Sequence, residues 1–195
     1  MVRAAAALVC LAVGAPAPAP TVAALLAALQ RPKTVSARFV QEKHHPAFKA
    51  PQRSEGRVEL ARPARMHLVY TAPHQVELTL DGDRVTMRFP RTGRTQTLDR
   101  KQDGGQLDAV FDALAFFVDA DPARLAQVYE VAVEPPATLA LVPRDPGMRK
   151  VVARIRAEVD VAQGVLRTVT LEQTDGSVTR FTFLDPKLDA PPPPP

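Results

Sequence analysis

From Met66 to Phe89 apolar and polar residues alternate with a period of two. Met66, Leu68 and Tyr70 alternate with Arg65, His67 and Val69; Val76, Leu78 and Leu80 alternate with Glu77 and Thr79; Val85, Met87 and Phe89 alternate with Thr86 and Arg88. This is the pattern of half-buried antiparallel strands with one apolar and one polar face. Asp81-Gly82 is a hairpin turn signal, and Arg91-Thr92-Gly93 begins another turn toward Thr95 to Asp99. Two stretches depart from the rhythm. Val22, Leu25, Leu26 and Leu29 share one face of a helix that Thr21 caps and Pro32 ends, and Leu107, Val110, Phe111, Leu114, Phe117 and Val118 follow helical spacing until Asp119 to Pro122. Strands then resume at Tyr129 to Val133, Thr138 to Val142, Lys150 to Val159, Val165 to Gln173 and Val178 to Leu184, the last two joined by Thr174-Asp175-Gly176-Ser177.

The order is helix, about six strands, helix, about five strands. A sheet of ten or eleven strands must twist and curl, and its apolar concave face needs a cover that only the two helices can supply. The expected fold is mainly β (α+β): a curved antiparallel half-barrel of about 11 strands with a helical lid over its apolar concave face.

Composition narrows the function. The 195 residues hold 25 Lys plus Arg against 21 Asp plus Glu, a net charge of +4, with 46% hydrophobic residues, 20 Pro, one Cys and no Trp. The basic residues are scattered rather than gathered into the stripe a nucleic-acid binder needs. Residues 1–20 read as a secretory signal with its small-residue and Pro flank: Arg3, an apolar run from Ala4 to Val13, then Gly14 to Ala19, with cleavage expected after Gly14. The run is too short to span a membrane, and Ala7-Leu8-Val9 before Cys10 is a poor lipidation box. Residues 21–188 are expected to form one domain, and 189–195 a stiff polyproline tail.

Catalytic patterns are missing. No nucleophile elbow, phosphate-binding glycine loop or zinc-type His pair is present, and no enzyme activity, cofactor or metal site is expected. His44 and His45 read as solvated turn residues; His67 and His74 flank a turn without an evident third ligand. Arg38, Arg53, Arg57, Arg62 and Arg65 lie near one end and suit an anionic membrane or an acidic partner, or equally plain solvation.

The run Arg62-Pro63-Ala64-Arg65-Met66-His67-Leu68-Val69-Tyr70-Thr71-Ala72-Pro73, followed by Asp81-Gly82, resembles the LolA family of periplasmic lipoprotein carriers. Ser36-Ala37-Arg38-Phe39-Val40-Gln41 is similar to that family's first strand, Gly56-Arg57-Val58-Glu59-Leu60 to its glycine-led strand, and Phe181-Thr182-Phe183 to its late strands. The chain departs from the family in carrying Met66 and Leu68 where an aromatic pair is usual, and Met87 and Phe89 where Trp or Tyr is usual.

The resemblance implies a monomeric carrier in the periplasm that shields acyl chains of lipoproteins, or of other lipids, between inner and outer membrane. Its expected partners are the acylated cargo and an inner-membrane Lol-type ABC transporter, with room for an outer-membrane receptor and none for nucleic acid. The alternative is a periplasmic lipid-binding sensor or interaction protein on the same half-barrel. The resemblance also assigns Arg62 as a lid latch that donates to lid carbonyls when the cavity is empty. Strand alternation and lid spacing give the cavity-lining candidates. In the first half of the sheet these are Phe39, Val58, Leu60, Met66, Leu68, Val76, Leu78, Met87 and Phe89. The lid adds Val110, Phe111, Leu114 and Phe117, and the second half Ile155, Val169, Leu171, Phe181 and Phe183.

Overall fold

The computed structural model describes residues 20–99, 117, 118 and 120–189. Its elements are α1 (Val22–Gln30), β1 (Thr34–His44), β2 (Gln52–Ala61), β3 (Arg65–Ala72), β4 (Val76–Asp81), β5 (Arg84–Phe89), β6 (Arg94–Asp99), α2 (Pro122–Val128), β7 (Tyr129–Glu134), β8 (Thr138–Pro143), α3 (Pro146–Arg149), β9 (Val152–Asp160), β10 (Val165–Gln173) and β11 (Val178–Leu188). Residues 1–19 of the expected 1–20 signal, most of the second helix and the end of the tail lie outside the described residues.

All eleven strands belong to one antiparallel sheet in the order β6-β5-β4-β3-β2-β1-β11-β10-β9-β8-β7. Two meanders are thus joined where the first strand pairs with the last, Phe39 opposite Phe183 and Gln41 opposite Phe181. Strands β6 and β7, consecutive in sequence, form the two outer edges, so the chain between them has to pass from one edge to the other. Phe117 and Val118, on that connection, are helical and buried.

The alternation in the sequence becomes two faces. Phe39, Val58, Met66, Leu68, Leu80, Val85, Ile155, Val169, Leu171 and Phe181 are buried in one core cluster with Leu25, Leu26 and Leu29 of α1. The other face carries the polar partners, including Arg88 with Glu77 at 2.7 Å and Arg154 between Glu134 and Glu172 at 3.4 and 3.2 Å. These pairs are largely solvated and add little stability; burial of the apolar face supplies most of it.

Both short helices after residue 120 begin at an Asp-Pro pair, the first of them where the sequence suggests a stop. Asp121 accepts the N–H of Ala123 and Asp145 that of Met148, and in each case the following Pro occupies the first turn, where it has no N–H to lose. Strand β9 therefore starts at Val152 rather than Lys150. Strand β11 continues to Leu188, past Leu184.

Helix α1 is fixed against the sheet at the turn between β9 and β10. Thr21 caps its N-terminus, and at its other end Arg31 donates to the carbonyls of Val161 and Ala162. Gly164, at φ +73°, brings that turn so close that a Cβ there would strike the carbonyl oxygen of Ala28. The turn is held by Asp160, whose carboxylate accepts the N–H of Gln163 at 3.0 Å and Arg167 at 2.7 Å. The Gln163 amide first, then Arg167, lowers the Asp160 pKa below the usual carboxylate value.

Gly164→Ala is expected to lower the unfolding free energy by about 2 kcal/mol in urea titrations, from the left-handed backbone and the contact with Ala28. Asp160→Asn should cost stability above about pH 4, the unfolded carboxylate value. Because the folded pKa is depressed, that cost should fade as pH falls through it. A penalty independent of pH would show that the carboxylate charge does not hold the turn.

Candidate functional site: an apolar cavity under a single arginine

The strand ends nearest Arg62 surround a narrow apolar cavity of about 60 Å³ that opens to solvent. Val35 and Ala37 come from β1, Val58 and Leu60 from β2, Met66 from β3, Val165 and Leu166 from β10, and Phe183 and Pro186 from β11. Leu29 of α1 and Phe117 close it from above, and Gly164 lies at the turn that touches α1. Among the described lining residues Arg62 alone carries a charge.

Arg62 follows the last residue of β2, and its backbone N–H bonds the Lys33 carbonyl at 3.0 Å. That bond points its half-buried side chain at the lid. Nε donates to the Pro32 carbonyl at 3.2 Å, one terminal nitrogen to the Leu29 carbonyl and the other to the Val118 carbonyl. One guanidinium thus joins the end of α1 to the helical residues on the far connection. Carbonyls in the last turn of a helix have no partner within it, and a planar five-donor fork can serve several at once where a lysine ammonium offers only a point charge. Gln30 adds a bond from its side chain to the Ala120 carbonyl at 2.9 Å.

The structure distributes the predicted lining residues unevenly. Val58, Leu60, Met66, Phe117 and Phe183 face the cavity. Phe39, Leu68, Ile155, Val169, Leu171 and Phe181 lie in the core cluster, each at most 2% exposed. Leu78 and Met87 pack half-buried against that cluster, and Val76 and Phe89 are half-buried on the same strands. Val110, Phe111 and Leu114 lie outside the described residues.

Phe39 and Phe181 are in the core because they fill the half-barrel beyond the cavity. Gly56, opposite Phe39 on one side and Tyr70 on the other, leaves a gap in the sheet face. The Phe39 ring lies over it, 2.6 Å from where a Cβ would sit. The ring also meets Tyr70 edge-on at 5.1 Å and Phe181 at 5.5 Å. These aromatic rings pack together in the core next to the cavity rather than lining it.

Leu29, Val35, Ala37, Gly164, Val165, Leu166 and Pro186 were not among the predicted residues. Val35 and Ala37 share the phase of Phe39, so alternation alone could have found them. Leu166 is out of phase with Val169 and Leu171 because the ladder shifts between Leu166 and Thr168, and no apolar pattern marks a turn glycine or a strand-end proline. The histidines do not converge: His44 and His74 are exposed, His67 is on the polar face of β3, and His45 accepts the Ala47 N–H at 3.1 Å. Among the described residues no three His, Cys, Asp or Glu side chains are grouped to hold a metal, and no helix is long and apolar enough to cross a membrane.

The family described as outer membrane lipoprotein carrier protein LolA matches residues 30–194. The chain belongs to the LolA family. No curated protein sequence matches it. Among solved structures, the LolA-family chain is similar to an outer membrane lipoprotein-sorting protein domain from Vibrio parahaemolyticus, at 10% identity and TM-score 0.54, over 86% of this chain and 91% of that one. It is also similar to MucB, at 20% identity and TM-score 0.51, over 88% of this chain and 58% of MucB. A LolA superfamily protein from Nitrosomonas europaea matches at 13% identity and TM-score 0.47, over 89% and 96% of the two chains. At these identities the likeness is one of fold, and the fold is the open, curled LolA-like sheet.

Gly56→Val is expected to destabilise the protein by about 2 to 3 kcal/mol in denaturant titrations, since the new side chain must displace Phe39 and meets the Val69 carbonyl. The near-ultraviolet signal of the Phe39–Tyr70 pair should weaken with it. An unchanged unfolding midpoint would show that Phe39 is not tightly packed over Gly56.

Proposed function

We propose that this LolA-family protein is a periplasmic carrier that shields acyl chains of lipoproteins, or of other lipids, on their way between two membranes. The observation that carries the reading is Arg62, bonded to Leu29 and Val118 above an apolar cavity. Family membership supports a lipid- or lipoprotein-binding role, and the reading is of binding rather than catalysis. In it, residues 1–20 direct export, residues 21–188 form the carrier domain, a Lol-type ABC transporter supplies cargo and an outer-membrane receptor is an acceptor to be sought.

The physical case is one of balance. Exposing a 16-carbon chain to water costs on the order of 12 kcal/mol at about 0.8 kcal/mol per methylene, so an apolar concavity whose cover opens to admit the chain would hold it. A carrier must also release it. Arg62 supplies the opposing term: its hydrogen bonds to the lid form only when the lid is down and the cavity empty. Loading breaks them, and unloading restores them. Hydrogen bonds from a charged donor contribute about 1.5 to 3 kcal/mol each. Two or three of them lower the affinity for cargo substantially without abolishing it.

Arg62→Leu is therefore expected to bind a fluorescent fatty-acyl probe at least tenfold more tightly than the parent and to pass it more slowly to acceptor vesicles. Transfer as fast as the parent's would contradict the latch. Absence of probe binding in both proteins would instead favour a sensor or interaction role for the fold.

A further inference from the structure

The two most exposed large apolar side chains among the described residues are Phe48, 55% exposed, and Val151, 51% exposed. Both lie at the end of the sheet opposite Arg62: β1 ends at His44, β2 begins at Gln52, and Val152 at the start of β9 pairs with Gln173 at the end of β10. A ten-residue strand such as β2 places this end about 33 Å from Arg62.

The two residues come from separate connections that one turn ties together. Phe48 donates its N–H to the His45 carbonyl at 2.9 Å, and its ring lies 5.3 Å from the His45 ring. Pro46, next in the chain, sits against Gly176, and Thr174 of the same turn donates its N–H to the Val151 carbonyl at 3.0 Å and its hydroxyl to the Lys150 carbonyl at 2.6 Å. The chain from Lys43 to Pro51 contains Lys43 and Lys49 and no acid, and Lys150 stands beside Val151. Of the acids at this end, Glu130 pairs with Arg149 at 2.9 Å, Asp175 accepts the Ser177 N–H at 2.8 Å and Asp145 the Met148 N–H at 2.7 Å, while Glu42 is exposed beside Lys43.

We propose that this end of the sheet docks on an anionic lipid bilayer, with Phe48 and Val151 entering between headgroups and Lys43, Lys49 and Lys150 pairing with lipid phosphates. Isolated apolar tips on separate loops, each beside a long flexible cation, suit a fluid surface whose headgroups part around them and whose charge the lysines complement. A protein partner would need a broader continuous patch. Docked this way, the protein holds its cavity mouth toward the aqueous side, where a partner can reach it. The proposal does not depend on what the cavity holds.

The test is sedimentation of the full chain with phosphatidylcholine vesicles and with vesicles also containing phosphatidylglycerol. The parent should bind the anionic vesicles, and more weakly as salt rises. The pair Phe48→Ser with Val151→Ser, and separately the triple Lys43→Gln, Lys49→Gln and Lys150→Gln, should each weaken binding about tenfold or more, with unfolding temperature and acyl-probe uptake unchanged because the cavity is at the other end. No binding of the parent to anionic vesicles at low salt, or parental binding by both variants, would overturn the proposal. Crosslinking of this end to an envelope protein without vesicle binding would overturn it as well and give the surface to a protein partner.

Discussion

The structure turns on one constraint: an open sheet of eleven strands with a continuous apolar face has to be covered by something that is not a strand. The strand order makes this acute, because β6 and β7 are the two outer edges and are also consecutive in sequence. The chain between them must cross, and Phe117 and Val118 on that crossing are buried. With α1 lying over β7 and β10, the cover has two parts of different origin, and what joins them decides whether the half-barrel is a sealed core or a container.

Apolar contact alone would seal it. Here the two parts also meet at the carbonyls of Leu29 and Val118, both served by Arg62, while Gln30 reaches Ala120. Polar bonds of this kind are directional and are lost together when the parts separate, whereas dispersion contacts fade gradually. On the carrier reading proposed above, such bonds would favour a closed and an open state over a continuum. Helix α1 has further anchors in Arg31 and at Gly164, which hold one part of the cover to the sheet. An ion pair at 3.8 Å between Arg124 of α2 and Asp83 in the turn before β5 links the two wings of the sheet.

Most strands were legible in the sequence because one face is wet and the other dry, so alternation survives in the residues themselves. Legibility failed where geometry breaks phase. Leu166 enters the cavity because of the bulge after it, and Gly56 matters for what it lacks, letting Phe39 lie over it in the core rather than line the cavity. The helix after Asp121 was hidden because Pro122, read as part of a terminator, serves as a first-turn residue, and the one after Asp145 is a single turn that no apolar periodicity marks. Arg62 is a different case. Nothing in periodicity or charge separates it from its neighbours Arg57 and Arg65; only the motif around it does, and its partners are backbone carbonyls that no side-chain pattern can reveal. Phe48 and Val151 were likewise invisible, since exposure at a loop tip follows from the turn that joins them.

The claim at the centre of this account is that the space under the lid is a binding site rather than an accident of packing. Native mass spectrometry of the protein purified from its own cells tests this most directly. The account predicts an acylated species bound to a fraction of the molecules, and in a larger fraction when Arg62 is replaced by Leu. Bare protein in both preparations would contradict it and leave the half-barrel as a closed core with a narrow gap.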